Sequence, residues 1–189
     1  MTDPSLPSSA RKIELLEAAY DYVLRHGIAD LSLRPLASAV GSSPRVLLYL
    51  FGSKEGLIRA LLARATDDEI EMLEGLRHDH PDADLPEAVA AIWDWLSDPG
   101  HRDLLRLWVE GYTRSLVDPS GPWRDFARQT VTDWLDVLAS YQPTGRRGKA
   151  ALAQRTIALA MLRGAMLDLL ATGDRERVTA ALRMQLPQL

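Results

Sequence analysis

The chain contains no cysteine, which excludes disulfides and thiolate-bound metals and fits a reducing cytoplasm. It also lacks a His-Glu-x-x-His run and a Gly-rich phosphate-cradling loop, and without cysteine there is no thiol nucleophile. These absences argue against an enzyme, and neither a cofactor nor a metal is expected. His78 and His80 come nearest to a ligand pair, but in His-Asp-His-Pro-Asp they read as a solvated loop. His101, beside Arg102 and Asp103, reads as a helix-start residue. No charge-free run of about 18 apolar residues occurs, so a membrane span is not expected. Residues 1–9 are polar and proline-containing, without the apolar stretch of a secretory leader, and a flexible tail is expected over 1–8. Strand-period alternation and internal repeats are missing as well, so the fold class expected is all-α.

What remains is ample for a core: 47% of the 189 residues are hydrophobic. The net charge of −4 is unevenly spread. Through Arg64 there are eight bases and six acids, a surplus of +2, which leaves −6 on the rest. A mildly basic head on an acidic body permits phosphate contact by the head alone.

Residues 31–58 carry the most informative local pattern. They read Leu-Ser-Leu-Arg-Pro-Leu-Ala-Ser-Ala-Val-Gly-Ser-Ser-Pro-Arg-Val-Leu-Leu-Tyr-Leu-Phe-Gly-Ser-Lys-Glu-Gly-Leu-Ile. Ser32 is an expected N-cap, and Pro35 falls in the first turn, where its missing N–H removes no helical bond. Leu33, Leu36, Ala37 and Val40 form an apolar stripe that ends at Gly41, where a left-handed turn is wanted. Ser42 or Ser43 caps a second helix with Pro44 at its start; Gly52 ends it, and Ser53 caps the next. Two short helices joined through a glycine turn form a helix-turn-helix, over about 32–51, whose second helix suits a DNA major groove.

Helices are expected through most of the remaining chain. Ser8 or Ser9 caps a first helix with an inward stripe of Ile13, Leu16, Ala19, Tyr20 and Val23, ended by Gly27. A long helix runs from Lys54 to about Leu76 on Leu57, Leu61, Leu62, Ala65, Ile70 and Leu73. A loop over 78–84 and a break at Asp98-Pro99-Gly100 bound a helix over 85–96, with another to about 116. Further helices are expected over 123–139, 149–171 and 175–186, with a turn at 143–148. The helix over 149–171 is apolar around nearly its whole circumference, which predicts burial on all sides.

The residues from Leu31 to Ile58 resemble the tetracycline-repressor (TetR) family of bacterial transcriptional regulators. The likeness covers roughly residues 9–65, resting on the Leu-Ser-Leu-Arg-x-Leu-Ala-x-x-Val-Gly run, Phe51, and Ser53-Lys54-Glu55-Gly56-Leu57. It implies a DNA-binding domain over 9–69 and a ligand-binding and dimerisation domain over 70–189. Carried over position by position, it implies DNA contacts from Ser42, Ser43, Pro44, Arg45, Val46, Tyr49 and Lys54, with Arg34 on backbone phosphate. Arg45 is the one long donor on its helix and has the shape for guanine. Val46 stands where the family often has Thr, and Leu48 where it usually has Tyr. Leu47, Leu50 and Phe51 read as packing residues.

The resemblance further implies a homodimer with a small-molecule effector, and repression as the majority behaviour, acting on a (pseudo)palindromic double-stranded operator. Small residues on the helix over 149–171 would allow close approach to a second copy. The expected interface is Trp123, Val131, Leu138, Ile157, Met161, Gly164, Ala165 and Leu169. Five tryptophans lie beyond position 90. Trp93, Trp108, Tyr112 and Trp134, with Glu110, are candidate contacts for an apolar or aromatic effector. Glu110 and Arg114, one turn apart, read as a solvent-exposed ion pair. The competing function is an all-helical adaptor that uses the three-helix head against protein.

Overall fold

The computed structural model describes residues 8–143 and 148–189. Most of the expected tail (1–7) and the middle of the expected turn (144–147) lie outside the described residues. The fold is all-α as expected, with no strand among the described residues. In chain order the helices are α1 (Ser8–His26), α2 (Leu33–Ala39), α3 (Pro44–Phe51), α4 (Lys54–Asp79) and α5 (Leu85–Leu96). Then come α6 (Arg102–Val117), α7 (Phe126–Ser140), α8 (Lys149–Thr172) and α9 (Arg175–Gln185). Single 3₁₀ turns occupy Pro99–His101 and Leu186–Gln188.

Three expected boundaries move. α4 continues through His78, so that histidine is helical rather than in a loop. α7 starts at Phe126, three residues later than expected, after Asp125 with φ +66°. Both Ser8 and Ser9 lie inside α1, not ahead of it.

The chain divides into two compact units. One runs to Asp68 and takes in Arg106–Ala127; the other holds Glu69–Leu105 and Arg128–Leu189.

In the first unit α1, α2 and α3 pack on one another. The inward face of α1 is Leu15, Ala19, Tyr20 and Val23, whereas Ile13 is 62% exposed. The expected stripe was therefore out of register at its start: Leu15, Ala19 and Val23 follow strict i, i+4 spacing. α4 adds Leu57, Leu61, Leu62 and Ala65 to the core. A polar seam joins α1 to α4: Tyr20 Oη donates to Asp68 Oδ2 at 2.7 Å, and Arg64 Nε donates to Glu17 at 3.0 Å. Arg64 also pairs with Asp68 and lies over the Tyr20 ring, 5.0 Å from its centroid. Burial, then the Asp68 carboxylate, push the Tyr20 pKa well above the usual phenol value, so it stays a neutral donor.

In the second unit α8 packs on α5 and α9. α5 starts with a capping box, Asp84 and Glu87 each accepting the other's backbone N–H at 3.0 Å. Trp93 Nε1 donates to Thr179 Oγ1 at 2.9 Å, joining α5 to α9. Within one chain α8 is not buried all round, contrary to expectation. Ala158, Leu159, Leu162 and Leu169 face inward, while Leu152, Ile157 and Leu167 are about half exposed.

Candidate DNA-reading face and an acidic cavity

α3 is held by few residues. Gly41 takes φ +62° and turns the chain out of α2. Ser43, with extended backbone, accepts the Val46 N–H at 3.3 Å, and Pro44 follows at the first helical position. Ser43 is therefore the cap that local sequence left open between two serines. Leu47 and Phe51 point inward, 1% and 8% exposed, and burial of each contributes about 1.5–3 kcal/mol. Ser32 occupies the N-cap position of α2, but its hydroxyl makes no capping bond, which corrects the expectation.

The outward side of α3 carries Arg45, Val46, Leu48 and Tyr49, all exposed, with Tyr49 the most open at 80%. Arg45 and Tyr49 are one turn apart on one face, with Leu48 beside them and Val46 flanking. Arg34 is exposed on the first turn of α2, and Ser42 and Lys54 are half-buried. Lys54 starts α4, whose first turn is fixed by Ser53 Oγ accepting the Gly56 N–H at 2.9 Å. Lys12, one of the eight bases of the head, is not among the expected DNA contacts. It is exposed on the first turns of α1, its Nζ 5.4 Å from the Phe51 ring centroid, and adds positive charge beside α3. A basic residue on the exposed side of the covering helix was the available signal.

The expected effector contacts have separate placements. Trp93 is buried against Thr179, and Trp108 is buried with Nε1 donating to the Ala65 carbonyl at 3.3 Å. Tyr112 is half-buried. Glu110 is not in the expected exposed pair with Arg114. Its Oε2 accepts the backbone N–H of Ile28 at 2.7 Å and of Ala29 at 3.2 Å. Arg114 reaches the Ala29 carbonyl and Asp30, each at 3.4 Å. Both residues thus tie α6 to the turn after α1. Gly27, at φ +82°, makes room for this: a Cβ there would lie 2.9 Å from Glu110 Oε1.

Trp134 is buried, and its Nε1 donates to Glu69. Glu69 is 3% exposed on α4 and lines a cavity of about 270 Å³ whose walls come from α4 and α7. Ile70, Leu73 and Val137 supply apolar wall. Burial raises the Glu69 pKa to about 7, with Asp133 adding to the rise and the Trp134 hydrogen bond and Arg163 opposing it. The expected stripe has Ile70 on the inner face in place of Glu69, yet Ile70 is 41% exposed. Strict spacing from Ala65 through 69 to Leu73 puts a carboxylate in the core register.

Of the expected interface residues, Trp123, Leu138 and Leu169 are buried within the chain itself. Val131, Met161 and Ala165 are half-buried, and Ile157 and Gly164 are exposed. Ala153, Ile157, Ala160, Gly164, Leu167 and Ala171 form one exposed line along α8.

Residues 15–61 match the family described as bacterial regulatory proteins, tetR family, so the resemblance carried by residues 31–58 holds. No curated protein matches the chain. Solved structures share the fold over nearly its whole length. A TetR transcription regulator from Haloarcula marismortui is 21% identical, with 95% of this chain and 96% of that one covered and a TM-score of 0.71. A protein of Saccharomonospora viridis described as a transcriptional regulator, in complex with choline, is 24% identical, with 95% of each chain covered and a TM-score of 0.73. The multidrug binding protein EbrR, complexed with imidazole, is 25% identical, with 97% of this chain and 90% of that one covered and a TM-score of 0.66. Among the described residues no helix is long and apolar enough to cross a membrane.

Proposed function

The chain carries an N-terminal domain of the tetR family, and from that premise we propose that the protein is a ligand-responsive DNA-binding transcriptional regulator that acts as a repressor. The observation that carries this reading is α3: a short helix seated on Leu47 and Phe51, with Arg45, Val46, Leu48 and Tyr49 turned outward. A major groove accepts such a helix, Arg45 pairs bidentately with guanine, and Val46 offers an apolar surface to a thymine methyl. Ser42, Ser43, Pro44, Arg34 and Lys54 set the register on phosphate, helped by the positive end of α4.

Two copies are required to read a palindrome, with recognition helices about 34–36 Å apart. The exposed line on α8 supports a two-fold helical interface, because Gly164 and the alanines let a second helix approach closely. Ile157→Glu places a charge in that line and is expected to convert a dimer to monomer in sedimentation. The effector favours the conformation that does not fit the operator; a coupling of about 1–3 kcal/mol lowers DNA affinity roughly 5–150-fold. Solved structures of this fold that hold choline or imidazole support a small-molecule role.

Selection of bound duplexes from a random pool tests the proposal. An inverted repeat whose binding weakens steeply with salt supports it. Recovery of no sequence at low salt rejects it in favour of a protein-binding adaptor. On the selected duplex, Arg45→Ala is expected to cost about 1–3 kcal/mol and to relax preference at one base pair in each half-site.

A further inference from the structure

Resting on the effector reading, and deepening it, we propose that the cavity beside Glu69 binds a small organic cation, such as a quaternary ammonium group, through the Glu69 carboxylate. The sequence alone had suggested a largely apolar or aromatic effector.

The cavity is lined by four carboxylates, Glu69, Glu74, Asp133 and Asp136, against one guanidinium, Arg77. The apolar wall of Ile70, Leu73 and Val137 suits the methyl groups of a quaternary ammonium ion, which has no N–H to donate. A volume near 270 Å³ lies at the small end of the usual range for ligand pockets, about 300–1,000 Å³.

Glu69 separates this cavity from an ordinary solvated acidic patch. The residue is only 3% exposed, and it lines the cavity. Trp134 Nε1 is its one hydrogen-bond donor among the described residues, so a carboxylate oxygen is left to face the space. A buried carboxylate with a single donor is costly in its charged form unless a cation reaches it. The charged groups that act on it are Asp133 from α7 and, more weakly, Arg163 from α8. Glu74 and Arg77 on α4 and Asp136 on α7 line the same cavity. Because burial holds the free carboxyl near pH 7, a bound cation stabilises the ionised form and expels the proton.

The test uses the full-length, DNA-free protein, so its outcome does not depend on an operator. Choline and its uncharged carbon isostere, 3,3-dimethylbutan-1-ol, are titrated calorimetrically at pH 6, 7 and 8. Choline is expected to bind at least tenfold more tightly than the isostere at pH 8. Its affinity should rise about tenfold from pH 6 to pH 8, as the ionised fraction of Glu69 grows. Glu69→Gln should abolish both the charge preference and the pH dependence. Equal binding of choline and isostere by the unaltered protein, or no binding of either, overturns the proposal. So does a folded Glu69→Gln protein that still discriminates. If that variant does not fold, the isostere comparison and pH profile of the unaltered protein decide.

Discussion

In the unit that holds α3, Glu110 lays its carboxylate against two backbone amides, 2.7 and 3.2 Å away, and Gly27 is shaped around it. In the other unit, Glu69 has a single indole donor and an adjacent cavity. The first arrangement is closed: donors of the turn after α1, which no helix or strand satisfies, are paired, and the acid is part of the frame. The second is open, and its acid is held at the expense of stability. A carboxylate turned inward therefore means different things in the two units, and the number of donors around it decides which. Frame and receptor are distinguished by what is left unpaired.

The sharpest way to break the contrast is Glu110→Ala. It leaves the Ile28 and Ala29 amides without their acceptor and is expected to cost about 2–4 kcal/mol in urea unfolding. A cost below about 1 kcal/mol would show that water replaces the tie and that the two sites differ less than their geometry suggests.

Glu69→Gln should have the opposite sign. Folding lifts the Glu69 pKa from 4.5 to about 7, so the folded protein binds the extra proton between those values. The stability due to this group is greatest below pH 4.5 and falls as pH rises toward 7. At pH 8 the glutamine variant should therefore be the more stable, by roughly 3 kcal/mol, with the gap closing toward pH 4. A gap that does not change with pH would remove the open-site interpretation.

The smallest effect belongs to Arg114→Ala. Arg114 faces Asp30, whose side chain is 99% exposed, and its other bond, to the Ala29 carbonyl, is long at 3.4 Å. A loss within about 0.5 kcal/mol is expected in the same unfolding assay, which would assign the tie to Glu110 rather than to the charge pair as a whole.

How much of this could be read in advance depended on the range of each interaction. The helix-turn-helix was legible because its signals are local: Gly41, Ser43, Pro44, Gly52 and Ser53 act within a few residues of themselves. Glu110 was not, since its partners lie 81 and 82 residues away and an i, i+4 arginine offered a simpler local story. The α8 helix was misjudged because composition counts apolar residues without saying who covers them. Glu69 was missed through a one-residue error of register on α4, the same kind of slip that put Ile13 inside α1. Periodicity identified those helices but did not by itself choose between adjacent stripes.

The seat of α3 has a consequence for how such proteins diversify. Two side chains, Leu47 and Phe51, anchor the segment, whereas Arg45, Val46, Leu48 and Tyr49 bear little folding duty. Under the proposed function, those four positions are free to drift toward a new operator with little penalty to the rest of the molecule.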